Sequence, residues 1–144
     1  MNMLNPNYIV GLVDGEGSFT VYIRNPKESK VKKRRVRAEP KFYLKLVARD
    51  KKALYSLREF FGCGSVYFQK DKRANHQDCY RYEVVNRNDI KKIIIPFFQK
   101  YQLHLPSKIK DFKIFRMITK RIEKGDHLTT SGLRALYTLK QKMH

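Results

Sequence analysis

Ile9-Val10-Gly11-Leu12-Val13-Asp14-Gly15-Glu16-Gly17 leads directly into Ser18-Phe19. Asn5 is a fitting N-cap and Pro6 suits the first helical position, so the spacing predicts a short helix starting here. Gly11 and Gly15 fall four residues apart, on one face of that helix. A glycine costs an ordinary surface helix about 1 kcal/mol relative to alanine. Two on one face imply that another backbone must come close, most simply a second copy of the same helix. Val10, Gly11, Asp14 and Gly15 are then the interface residues, and Glu16 at the helix end meets its twin across a dyad. Asp14, two residues before Glu16, points another way and reads as structural, capping or pairing within the dimer.

Two carboxylates held together do not both stay ionised cheaply. A divalent cation between them resolves the conflict, and oxygen ligands suit magnesium or calcium. The same residues also fit a plain capped helix ending at Gly17, with Asp14 and Glu16 as ordinary surface acids. Spacing alone does not separate these readings.

The formal charge of +19 on 144 residues is the strongest compositional signal. Such a field favours a polyanion, and nucleic acid is the first partner to consider. An anionic membrane ranks lower, because no long basic amphipathic helix with an exposed aromatic face stands out. No apolar run reaches membrane-spanning length, and no secretory signal is visible before the first helix. Cys63 and Cys79 are too few for a disulfide framework or a zinc site, and read as half-buried residues in a reducing compartment. His76, His104, His127 and His144 share no metal-ligand spacing. The length fits one domain, 1–144.

Along the chain, Ser18 to Asn25 alternates, with Phe19, Val21 and Ile23 on one side and Thr20, Tyr22 and Arg24 on the other. Pro26 ends this strand. Lys27 to Arg37 is a loop, and residues 24–52 hold thirteen basic against three acidic side chains. A charge run of this kind is either a solvated loop or a set of phosphate contacts, and its flanking strands with basic outer faces favour the second. Lys41 to Arg49 is the second strand, with Phe42, Leu44, Leu46 and Ala48 inward and Lys41, Tyr43, Lys45 and Val47 outward. Asp50 caps a helix carrying Leu54, Leu57, Phe60 and Phe61 that stops at Gly62. The third strand, Ser65 to Lys70, turns Val66 and Phe68 in and Tyr67 and Gln69 out. The fourth, from Cys79 to Val85, places Tyr80, Tyr82 and Val84 opposite Arg81 and Glu83. Asn88 caps a helix that Pro96 should kink or break, and Ser107 caps another with Ile109, Phe112, Phe115, Ile118 and Ile122 buried. A last helix starts near Thr129 or Thr130 and carries Leu133, Leu136 and Leu139.

The order is therefore αββαββα followed by C-terminal helices, an α+β fold with one antiparallel four-stranded sheet. Helices cover one sheet face. The other stays open and basic, suited to lie along a DNA major groove where strands reach base edges. Tyr22, Tyr43 and Tyr67 are the tyrosines expected nearest DNA.

The nonapeptide resembles, position by position, the signature of the LAGLIDADG homing endonucleases, with Glu16 at the position of the catalytic acid. Phe60-Phe61-Gly62-Cys63-Gly64-Ser65-Val66, Tyr82-Glu83-Val84-Val85-Asn86 and the tail segments His127 to Leu133 and Leu139 to Met143 also resemble segments of that family in the same order. Only one copy of the signature occurs, and single-signature members of the family act as homodimers.

The resemblance implies the same curved sheet and a metal-dependent endonuclease that cuts both strands of a long pseudo-palindromic site, leaving short 3′ overhangs. It implies Mg²⁺ as cofactor, with Mn²⁺ substituting and Ca²⁺ supporting binding without cutting. Glu16 and the Gly15 carbonyl would hold the metal. Lys108, or second Lys110, would be the basic residue near the scissile phosphate, and Arg49 a further candidate for the site. The family usually has a polar residue where this chain has Ala48, a departure that favours weaker cleavage. Expected DNA contacts are Thr20, Tyr22, Arg24, Lys32, Lys33, Arg34, Arg35, Arg37, Lys41, Tyr43, Lys45, Tyr67, Gln69, Arg81 and Glu83. A non-catalytic binder on the same fold, such as an intron RNA maturase or a DNA-binding regulator, is the alternative. The implied location is an organelle, mitochondrion or chloroplast.

Overall fold

The structure, a computed structural model, describes residues 4–27, 38–70 and 77–144. Helix α1 (Pro6–Glu16) begins where Asn5 accepts a hydrogen bond from the Asn7 N–H at 2.8 Å, with Pro6 in its first turn. It passes into β1 (Gly17–Ile23) without a loop. Gly17 makes that possible, since a Cβ there would lie 2.6 Å from Val13 Cγ1 and 2.9 Å from the Val13 carbonyl oxygen.

Strand β2 (Ala38–Val47) starts earlier than the sequence predicts, taking in Pro40. Pairing with β4 begins only at Phe42, so Pro40 lies where β2 has a neighbour on the β1 side alone. Arg87 donates to the Ala38 carbonyl at 2.7 Å, serving a group the short β4 does not reach. A 3-10 turn (Ala48–Asp50) leads into α2 (Lys51–Phe61), so Ala48 lies just past the strand rather than in it. Gly62, at φ 70°, caps α2 by donating to the Arg58 carbonyl. Then come β3 (Ser65–Gln69) and β4 (Cys79–Val84).

The helix that follows is one run in three windings: α3 (Arg87–Asp89), a π segment (Ile90–Ile94) and α4 (Ile95–Lys100). Its cap is Asn86, accepting from the Asp89 N–H at 3.1 Å, not Asn88. Pro96 does not break it. The Ile95 N–H reaches back to the Ile90 carbonyl, and Pro96 falls in the first turn of α4 after this wider winding. Helix α5 (Pro106–Glu123) has Leu105 at the cap position with no side-chain bond of its own, so the expected Ser107 cap is also corrected. A 3-10 turn (Asp126–Leu128) precedes α6 (Thr130–Lys140), capped by Thr129.

The sheet is fully antiparallel, in the order β1-β2-β4-β3. Its inner face packs under the helices. Phe19 is the hub there, with ring centroids 5.1–5.4 Å from Phe42, Phe98, Phe112 and Phe115. Tyr82 is fully buried, and its hydroxyl donates to the Cys63 carbonyl at 2.8 Å. Two expected core residues are not in the core. Ile109 is 46% exposed in the first turns of α5, and Phe68 is 50% exposed on the edge strand β3, against Tyr80. No helix among the described residues is long and apolar enough to cross a membrane.

Candidate nucleic-acid interface and metal site

The end of α1 separates its two acids. Asp14 points inward and is 7% exposed. Its carboxylate accepts from the His104 N–H at 3.1 Å on each oxygen and from the Leu105 N–H at 3.2 Å. These backbone groups lead into α5, so Asp14 supplies from another helix the cap that α5 lacks in its own sequence. The junction also fixes where α5 begins, with half-buried Lys108 in its first turn. That turn contains Lys108 and no acid, so its side-chain charge adds to the positive end of the helix dipole.

Glu16 does the opposite. It is exposed at the last position of α1, a helix with no basic residue in its final turn. The Gly15 carbonyl is among the last four of the helix, which have no regular partner within it. An exposed carboxylate, carbonyls unpaired among the described residues and the negative end of a helix dipole converge there on a strongly basic chain. This donor set fits a hard, oxygen-seeking divalent cation. Among the described residues no three His, Cys, Asp or Glu side chains cluster as a metal site.

Arg49 is exposed in the turn after β2. Gly17 pairs with Leu44, so the end of β2 and that turn run past the start of β1, at the end of the sheet where α1 stops. The Ala48 N–H donates to the Asp78 carbonyl at 2.9 Å, fastening the turn to the approach of β4.

The open face carries Thr20 and Tyr22 from β1, Lys41, Tyr43 and Lys45 from β2, Arg81 and Glu83 from β4, and Tyr67 and Gln69 from β3. Register places Thr20 beside Lys41, and Lys45, Arg81 and Tyr67 in one row across three strands. Glu83 organises the middle. Its Oε2 accepts from Arg81 Nε at 2.9 Å and from the Tyr67 hydroxyl at 3.0 Å, with Lys41 Nζ at 3.9 Å. Burial, then the hydrogen bond to Glu83, pushes the Tyr67 phenol above its ordinary pKa. The Arg81 guanidinium also lies over the Tyr43 ring, 3.6 Å from its centroid. Arg24 is half-buried just beyond β1. Lys32, Lys33, Arg34, Arg35 and Arg37 lie outside the described residues.

Sequence reasoning missed Lys140. At the end of α6 it lines the same cleft as Thr20, Tyr22, Glu39 and Lys41, a meeting that no local pattern announces. It likewise missed the partners of Asp14, ninety residues away.

On the expected interface, Val10 is 3% exposed and belongs to the protomer's own core, as Asp14 belongs to its own cap. Gly11 and Gly15 are open, with nothing within 4 Å of a Cβ added at either. Tyr8, three residues before Gly11, is 50% exposed on the same stripe.

This chain belongs to the LAGLIDADG endonuclease family, whose sequence profile matches residues 9–119. A probable intron-encoded endonuclease 3 of Neurospora crassa is 33% identical over 142 residues, which is 98% of this chain and 25% of that protein. A second Neurospora crassa relative, probable intron-encoded endonuclease 2, is 32% identical over 92% of this chain and 28% of its own length. The chain thus spans about a quarter of the length of these relatives. Among solved structures, the homing endonuclease I-TnaI matches at 37% identity and TM-score 0.80, over 99% of this chain and 90% of that one. I-GzeII in complex with its DNA target matches at 32% identity and TM-score 0.80, over all of this chain and 45% of that one.

Proposed function

We propose that this chain is a site-specific double-stranded DNA endonuclease that works as a homodimer with a divalent metal, on a long pseudo-palindromic target. The observation that carries this is the division of labour in α1: Asp14 is committed to the fold, whereas Glu16 is left exposed at a cation-favouring helix end. The open stripe Tyr8-Gly11-Gly15 supports pairing of α1 with a second copy, which would bring two Glu16 carboxylates to a dyad. I-TnaI, at nearly this chain's size, and I-GzeII, at about twice it, fit one unit and a pair of units on the same plan.

Glu16 and the Gly15 carbonyl are the residues that would hold the metal, Mg²⁺ being the physiological choice and Ca²⁺ a binding-only substitute. I-SmaMI, another structural neighbour, was solved on uncleaved DNA with calcium. Bound there, a divalent ion supplies Lewis acidity and an acidified water for phosphodiester hydrolysis. The chain's own part is to present that carboxylate, place Lys108 and Arg49 toward the phosphate, and hold the target on the sheet. Short 3′ overhangs follow from cutting across the minor groove at the dyad. Of the two organelles, the fungal intron-encoded relatives support the mitochondrion as its place. Ala48, an apolar residue beside the proposed site, favours one second reading: a binder of DNA or intron RNA with weak or absent cleavage.

The test selects duplexes from a randomised pool in calcium, then moves the recovered DNA to magnesium with wild type and Glu16→Gln. Cutting by wild type alone, with equal binding by both, is the expected result. Equal cutting by the mutant would remove Glu16 from the metal site. Specific binding without cutting by either would establish the binder.

A further inference from the structure

A carboxylate on a surface meant for a polyanion works against affinity, so Glu83 in the middle of the open face calls for a reason. Its environment supplies one. A single oxygen, Oε2, takes both the Arg81 Nε bond at 2.9 Å and the Tyr67 hydroxyl bond at 3.0 Å. The flat side of the same guanidinium rests on Tyr43, 3.6 Å from the ring centroid. Stacking fixes the guanidinium plane, and the Nε bond fixes its rotation within that plane. An arginine ordinarily loses rotamer freedom when a ligand orders it. Here much of that ordering exists beforehand.

The bond to Glu83 uses the Nε–H, on the side edge that Nε shares with one Nη, and leaves the end edge between the two Nη groups. The Nη pair is the fork that meets two adjacent acceptors, and in the major groove guanine O6 and N7 are such a pair. Adenine offers N7 but turns an amino donor where O6 would be, cytosine offers a donor, and thymine a single acceptor. Arg81 stands in β4, one of the two inner strands, in one row with Lys45 and Tyr67. It is therefore on the part of the sheet best placed to reach base edges.

We propose that Arg81 reads a guanine in the target and that Glu83, with Tyr43, is a positioning residue that holds the guanidinium in the reading posture. This rests on the DNA-binding part of the reading above and not on cleavage. Glu83 is thus a specificity element, lowering general affinity for DNA while sharpening the choice at one position.

The experiment measures binding in calcium, so cutting plays no part in the outcome. Target selection with wild type should yield a guanine at one position of each half-site, and replacing it with adenine should weaken binding between about fivefold and 150-fold. Arg81→Ala should flatten the preference at that position while preferences elsewhere persist. Glu83→Ala should reduce the guanine preference and tighten binding to unrelated DNA. Glu83→Gln should restore most of the preference, because its amide oxygen still accepts from Nε. An Arg81→Ala protein with an unchanged preference at every position would overturn the inference while leaving the endonuclease reading intact. A selected target that wild type does not cut in magnesium would overturn the endonuclease and leave the Arg81 result standing. No enriched sequence at all would overturn both.

Discussion

Asp14 and Glu16 are two residues apart on one helix and have opposite fates. Asp14 is consumed by the backbone of 104–105, so its loss acts on stability. Hydrogen bonds to a charged acceptor are the strong ones, and Asp14→Ala should cost about 2–4 kcal/mol in urea unfolding. Asp14→Asn, keeping one acceptor oxygen, should cost about half as much. Glu16→Gln should leave the unfolding midpoint within experimental error, since the side chain is exposed. Tyr82 gives a pH signature. Burial raises its phenol far above the ordinary value near 10.0, so the folded protein keeps a proton that the unfolded chain releases. Its contribution is complete below about pH 10 and is lost progressively as pH rises from there. Denaturation at pH 9 and pH 11 should show wild type losing more stability across that interval than Tyr82→Phe.

Among elements, the joint between α1 and β1 leaves no room for a side chain at Gly17. Gly17→Ala puts a methyl group against Val13 and should destabilise by about 1–3 kcal/mol in the same assay. Gly11→Leu should act the other way on the protomer, because nothing crowds that position and leucine is the better helix former by about 1 kcal/mol. Its expected cost falls on assembly: a well-folded protein that sediments as a monomer.

The elements also show what the sequence could convey. Alternation in residues 18–24 and 41–47, and the glycine stop at Gly62, are local signals, and the strands and α2 formed where those signals lie. Caps were less legible. Asn86 and Asn88 are equally good local choices, and only the path of the chain out of β4 selects the first. The α5 cap was invisible because its donor of charge, Asp14, is remote in sequence. Ile109 and Phe68 fit their apolar periodicity but sit where no described element covers them. The motif marked Glu16 as the acid to watch, whereas the Glu83 network needed three strands brought into register.

At the scale of the molecule, the charge of +19 predicts binding that weakens steeply with salt. If Lys32, Lys33, Arg34 and Arg35 all meet phosphate, replacing them with alanine should reduce the slope of log affinity against log salt by about 3 to 4. An unchanged slope would make that segment a solvated one. On the proposed function, one chain is half of a cutting unit, completed by a second copy through the Gly11–Gly15 stripe of α1. The most direct test is the mass of the protein on its selected duplex, measured by native mass spectrometry in calcium. Two chains per duplex for wild type, with the Gly11→Leu protein failing to form that complex, is the predicted result. A single chain on a duplex whose two strands are both cut on moving to magnesium would contradict it.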